Sequence, residues 1–239
     1  MISFIIPTLN EEKYLEKTLK NLAEYKGEKE IIVSDGGSTD RTVDIAKRYQ
    51  TNICVYNGKN RQTIASGRNA GAELAKGDLL AFIDADVYIP NPNQFFQRVN
   101  NVFEENKKII AAVTSLRVLP EYETWADRMV FTINNLLLFL ENNIFKIGGA
   151  NGELQIVRKS SFGQVNGFDK GVEGCEDHEL FWRLAKIGRT KFISNQTIYH
   201  TGRRAHKIGW LRLLCQWITN CLYACCFEKE TGKEWSVIR

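Results

Sequence analysis

Short apolar runs separated by polar turns dominate the N-terminal part of the chain. Residues 2–6, 30–34, 52–56 and 78–83 each read as a strand. The run Leu79–Ile83 is too short for a helix and carries no alternation, as expected of a strand buried on both faces. Between the strands the period changes to that of a helix. Leu15, Leu19 and Leu22 share one face of a helix predicted from an N-cap at Asn10 to about Tyr25. A second helix is expected from near Ser38, and a third over 61–75, closed by Lys76-Gly77. Strand and helix alternate throughout this half, which predicts an α/β fold: a mostly parallel central sheet with helices on both faces.

Beyond Asn91 the pattern is less regular. Helices are expected over 93–105, 124–145, 159–165, 176–187 (closed by Gly188) and 208–227. Strands are expected over 109–118, 154–157, 191–194 and 197–200. Gly148-Gly149-Ala150-Asn151-Gly152 reads as a flexible loop. No repeat, low-complexity tract or Pro/Gly linker divides the chain, so 1–239 is expected to form one domain.

The buried strand 79–83 ends in Asp84-Ala85-Asp86. Residues i and i+2 of an extended chain point the same way, so both carboxylates can address one site. A divalent cation with oxygen ligands, Mg²⁺ or Mn²⁺ carrying a diphosphate, suits that pair; a loop in which aspartates turn the chain is the alternative. In parallel sheets ligands bind beyond the carboxyl ends of strands. Residues 7–11, 35–40 and 84–86 all fall at such ends and are expected to converge.

Composition changes this picture little. A hydrophobic share of 44% is that of an ordinary globular core, and the net charge of +4 is spread along the chain, which argues against nucleic acid. Arg203, Arg204, His206, Lys207 and Arg212 form the one basic concentration. The start lacks the features of a signal peptide, and no apolar run reaches the ~20 residues of a membrane span. The six cysteines form no Cys-x-x-Cys pair; with no secretion signal they read as free thiols in a reducing cytosol.

Five motifs occur in order: Pro7-Thr8-Leu9-Asn10-Glu11-Glu12, Asp35-Gly36-Gly37-Ser38-Thr39-Asp40, Gly67-Arg68-Asn69-Ala70-Gly71, Asp84-Ala85-Asp86 and Glu176-Asp177-His178-Glu179-Leu180. Together they resemble family 2 glycosyltransferases of the GT-A fold over roughly residues 1–205. The resemblance implies an inverting, metal-dependent enzyme using a nucleotide diphospho-sugar, most simply a UDP-sugar. It implies a nucleotide-sugar half over 1–115, an acceptor half over 116–205, and a C-terminal amphipathic helix and tail over 206–239.

By the same resemblance, Pro7, Thr8, Leu9 and Glu11 hold base and ribose, and Asp35 accepts a hydrogen bond from the base, with a turn residue before Gly36-Gly37 as the alternative. Arg68 reaches the nucleotide or its phosphates, with a surface helix arginine as the alternative. Asp84 and Ala85 lie near the ribose. Asp86, Asp84 and His200 hold Mn²⁺ or Mg²⁺. Arg203 and Arg204 neutralise the departing diphosphate. Asp177 is the general base, and Glu176 supports it or binds acceptor. Asn69 reads as structural.

Glu173, Glu176, Asp177 and Glu179 crowd one helix start, where the dipole favours acidity in any case and mutual repulsion raises carboxyl pKa values. A base is needed for a hydroxyl acceptor but not for a lipid phosphate. That favours transfer to a hydroxyl of a glycan or lipid-linked acceptor over a polyprenyl-phosphate glycosyl synthase. A non-catalytic nucleotide-sugar-binding scaffold at a membrane is the reading from another class. Asn151 and Glu153 could contact acceptor, and Trp182 is either core or a sugar platform.

Apolar residues from Trp210 to Cys225 form a wide helical stripe, with Trp210, Trp217 and Tyr223 suited to an interface. Two readings stand: a helix lying on the cytoplasmic face of a membrane, or one docked on its own domain or a partner subunit. Cys225 and Cys226 are candidates for acylation, with free apolar thiols the simpler reading.

Overall fold

The computed structural model describes residues 1–172 and 174–227, with side chains of the last helix through Leu222. Glu173 and the side chains of Tyr223, Cys225 and Cys226 lie outside the described residues. The elements in chain order are β1 (Ile2–Thr8), α1 (Leu15–Ala23), β2 (Lys29–Asp35), α2 (Thr42–Arg48), β3 (Asn52–Val55), α3 (Ile64–Leu74), β4 (Leu79–Ile83) and α4 (Pro92–Glu105). They continue as β5 (Ile109–Val118), α5 (Trp125–Phe139), β6 (Leu154–Arg158), α6 (Lys159–Gln164), α7 (Glu176–Ile187), β7 (Arg189–His200), α8 (Arg203–Ile208) and α9 (Trp210–Phe227).

One sheet takes the order β3-β2-β1-β4-β6-β5-β7. β1, β2, β3 and β4 pair in parallel, β6 runs antiparallel to β4 and β5, and β7 is parallel to β5. The unbroken apolar run of β4 follows from burial on both faces. Ala81 and Ile83 pack with Phe4, Leu19 and Phe96 on one side, while Leu80 and Phe82 pack with Ile5, Ala65 and Phe168 on the other. α3 lies hard against β1, where a side chain at Gly71 would collide with Ile5. The α3 N-terminus is capped by Thr63, whose hydroxyl accepts from the Ser66 N–H.

Several boundaries differ from the sequence expectation. Asn10 does not cap a helix, because α1 begins at Leu15. Its backbone is left-handed, with φ 56°, and its side-chain oxygen accepts from the Thr39 N–H at 2.8 Å, joining the loop after β1 to the loop after β2. α2 starts at Thr42 rather than near Ser38, since Ser38 is engaged by Asp35. The two short strands expected near residues 191–200 are one strand, β7, with a register shift opposite Thr114 and Ser115 that hides its continuity. The helix expected to Phe145 is α-helical to Phe139 and then widens into a π turn, Leu140–Phe145.

The helix expected over 208–227 is preceded by the separate helix α8, and Gly209, with φ 82°, breaks the two. α9 docks on α5. Trp210 packs on Phe131 at 5.4 Å, and its indole N–H donates to Asp127 Oδ1 at 2.7 Å. His206 Nε2 meets the other Asp127 oxygen at 2.8 Å. Further along, Cys221 is disulfide-bonded to Cys175, with a Cα separation of 5.3 Å. This corrects the reading of all six cysteines as free thiols. The cause is tertiary: α9 folds back onto the loop that precedes α7. Leu211, Ile218 and Leu222 remain exposed on α9. Among the described residues no helix is long and apolar enough to cross a membrane.

Candidate active site

The carboxyl ends of β1, β2 and β4 do converge, and the antiparallel bridge between Tyr88 and Tyr199 draws in the end of β7. Thr8 Oγ1 donates to Asp35 Oδ1 at 3.0 Å. Asp35 also accepts from the Gly37 and Ser38 N–H groups at 3.0 and 2.8 Å and from the Ser38 hydroxyl. It is fully buried, so here its carboxylate holds the Gly36-Gly37-Ser38 turn. Pro7, Thr8, Leu9 and Glu11 line the adjoining cavity, and Asp35 does not.

Arg68 sits at the centre. It is 1% exposed, so it is not a surface helix arginine. Nη1 lies 2.5 Å from Asp177 Oδ1 and 3.2 Å from Glu176 Oε1, while Nη2 lies 3.2 Å from Asp84 Oδ1 and 2.7 Å from the Gly152 carbonyl. One planar fork therefore ties the end of β4 to the start of α7. Phe168 covers the guanidinium, 5.3 Å from its ring centre.

A single cation cannot balance three carboxylates, of which Glu176 is buried and Asp84 and Asp177 are partly exposed. Burial, reinforced by Asp177, pushes Glu176 up to about 8. Burial also raises Asp84 to about 6, with Arg68 opposing and Asp86 and Asp177 adding to the rise. Burial disfavours charge on Arg68 as well, but Asp177, Asp84 and Glu176 outweigh it and hold the guanidinium charged. Asn69 bonds the Phe168 backbone through both its amide nitrogen and its oxygen, which is the expected structural role.

Asp86 accepts a short hydrogen bond from Thr201 and faces Arg203 Nε at 3.4 Å. Arg203 forks onto Glu11 at 2.7 and 2.9 Å and lies over the Tyr14 ring. Burial, with the positive charges of Arg203 and Arg61, lowers the Arg204 pKa to about 10. Crowded guanidinium groups of this kind favour an anion between them.

His200 is buried against Phe131, and burial holds its imidazole neutral, with a pKa near 4. Its Nε2 has no hydrogen-bond partner. Glu153 Oε1 stands 3.6 Å from His200 Nδ1, and burial, then the Asp84 charge, lifts Glu153 to about 8. A neutral imidazole with an orphaned buried nitrogen, close enough to Asp86 to feel its charge, is by its chemistry a donor that suits a divalent cation together with carboxylates. Among the described residues no three such side chains converge on one point, and Arg203 stands against Asp86 instead.

One cavity of about 780 Å³ takes in Asp84, Ala85, Asp86, Asn151, Glu153, Glu176, Asp177, His200, Arg203 and Arg204. Trp182 is half-buried beside His178, 5.8 Å between rings, and does not line this cavity. Three polar groups escaped the sequence reading. Gln155 donates to Asp177 Oδ1 at 2.9 Å, and its place as the one polar residue within Leu154–Val157 was a usable signal. Thr201 was readable only as a neighbour of His200. Glu141 meets His178 across 3.3 Å, a pairing between residues far apart in sequence that nothing local announces.

The model of the family described as "Glycosyl transferase family 2" matches residues 3–164, a stretch that ends before Glu176-Asp177. A segment of 93 residues is 39% identical to validoxylamine A glucosyltransferase of Streptomyces hygroscopicus subsp. limoneus, covering 36% of this chain and 20% of that protein. Over 231 residues the chain is 25% identical to 4,4'-diaponeurosporenoate glycosyltransferase of Staphylococcus haemolyticus, covering 89% of this chain and 60% of that one. The chain thus spans less than two thirds of either relative. Among solved structures, a mannosyltransferase from Pyrobaculum calidifontis in complex with GDP-Man and Mn²⁺ superposes with a TM-score of 0.71 at 20% identity, covering 92% of this chain and 64% of that one. At that identity the likeness is one of fold.

Proposed function

Because the chain belongs to glycosyl transferase family 2, we propose that it is an inverting glycosyltransferase. It moves a sugar from a nucleotide diphospho-sugar, a UDP-sugar in the simplest reading, to a hydroxyl of a glycan or lipid-linked acceptor. The observation that carries this reading is the single cavity joining Asp177 to the Asp84-Ala85-Asp86 segment and to Arg203 and Arg204.

Pro7, Thr8, Leu9 and Glu11 bind the nucleoside, and Ala85 lies against it. Arg203 and Arg204 receive the diphosphate, which relieves their mutual repulsion. Asp86, with Asp84 and His200, would hold Mn²⁺ or Mg²⁺. When bound, it supplies positive charge for the leaving diphosphate. Asp177 takes the acceptor proton. Its partner Glu176, raised to about 8, holds a proton near neutral pH and so supports rather than competes. Arg68 positions both carboxylates rather than binding phosphate, because its nitrogens are directed at Asp84, Glu176, Asp177 and Gly152. Asn151 and Glu153 stand on the acceptor side. The whole of 1–239 works as one domain, peripheral to a membrane, with the exposed apolar face of α9 as the support for that placement.

Asp177→Asn is the test. It should lower transfer to a hydroxyl acceptor by at least ~10²-fold while UDP binding stays unchanged. Full transfer by the variant would mean that the base is elsewhere or that the acceptor is already an anion.

A further inference from the structure

The cavity that holds the carboxylates has a second arm of opposite character. Its polar end is walled by Asp86, Glu153 and Asp177. Away from these it runs between α5 and α9, against Met129, Ile133 and Leu137 of one helix and Leu214, Trp217 and Ile218 of the other. Positions 129, 133 and 137 follow the four-residue spacing of one helical stripe. Asn134 is the one polar lining side chain from α5, and α9 contributes apolar side chains and Cys221. Met129, Ile133, Leu137 and Ile218 are each more than two-fifths exposed, although they face a concave site. The two walls are tied to each other and to the catalytic loop. Trp210 and His206 are anchored on Asp127 of α5, and Cys221 is bonded to Cys175, which immediately precedes Glu176-Asp177. The apolar arm therefore opens beside the base.

A purely polar acceptor would leave these walls wet. We propose that the arm binds the hydrocarbon chain of the acceptor. The acceptor is then an amphiphile whose hydroxyl reaches Asp177 while its chain lies between α5 and α9. This rests on the transferase reading above and specifies its acceptor class.

Trp217 in the wall supplies the readout. The full chain is titrated with alkyl β-glucosides, butyl to decyl, brominated at the chain end and kept below their critical micelle concentrations, while quenching of indole fluorescence is followed. The dissociation constant should fall about fourfold per methylene until the arm is filled. Trp217→Phe should remove most of the quenching. Ile133→Glu, at a position exposed enough not to disturb folding, should weaken octyl glucoside binding at least tenfold. Affinity independent of chain length, or unchanged in Ile133→Glu, would overturn the proposal. So would quenching that is absent from this series and appears only in a parallel one carried above the critical micelle concentration, the behaviour of a membrane-contact surface. The thermal shift given by UDP with Mn²⁺ is recorded on the same samples. A UDP shift without chain-length dependence overturns the amphiphile and leaves the transferase standing. Chain-length dependence without a UDP shift leaves the hydrocarbon site and removes the transferase.

Discussion

Arg68 shows how one side chain sets the chemistry around it. Removing it as Arg68→Met would leave Asp84, Glu176 and Asp177 facing one another without a cation. Breaking a buried ion pair from one side costs about 3–5 kcal/mol, so urea unfolding should show a loss of that order, and Arg68→Lys should recover only part of it. An unchanged midpoint would mean that the fork does not organise these carboxylates. Glu176 gives the matching dependence on pH. Its folded pKa of about 8 stands above its ordinary 4.5. Between those values the folded chain holds a proton that the unfolded chain has released, so this group makes stability fall as pH rises across that window. Glu176→Gln should therefore flatten stability measured from pH 5 to pH 8, removing a slope of up to ~1.4 kcal/mol per pH unit. An equal slope in both proteins would contradict the assignment. The residue types of the site were legible in the sequence, because carboxylates and arginines at strand ends have few other uses. Arg68 as a hub was not, since its three carboxylate partners lie 16, 108 and 109 residues away.

At the scale of elements, one carboxylate of α5 latches both α8 and the start of α9. Asp127 closes a capping box with Thr124 and accepts from His206 and Trp210 as well. Asp127→Ala should cost at least ~1 kcal/mol from the hydrogen bonds lost to Thr124, His206 and Trp210. It should also raise hydrogen exchange in α8 and the start of α9, while the amides of β1 and β4 keep their protection. Uniform exchange across all four would show that the latch is not local. Periodicity revealed the regular elements closely: β5 spans 109–118 and α7 spans 176–187, as the sequence pattern suggested. It failed where tertiary contacts decide. Asn10 was drawn from capping into bridging two loops, β7 was concealed by a bulge, and Cys175 met Cys221 only through the return of α9.

For the whole molecule, one continuous sheet brings residues from the two ends of the chain to one rim. Glu11 and Arg203, 192 residues apart, form a fork-to-fork pair there. The most direct test of the account is a thermal-shift comparison of UDP, GDP, CDP and dTDP, each with and without Mn²⁺, on the native chain and on Asp86→Asn. A ligand at 100 times its dissociation constant stabilises by ~2.7 kcal/mol, so binding will be visible. The account predicts a Mn²⁺-dependent shift with UDP that Asp86→Asn loses. Folded protein that shifts with none of the four would contradict it.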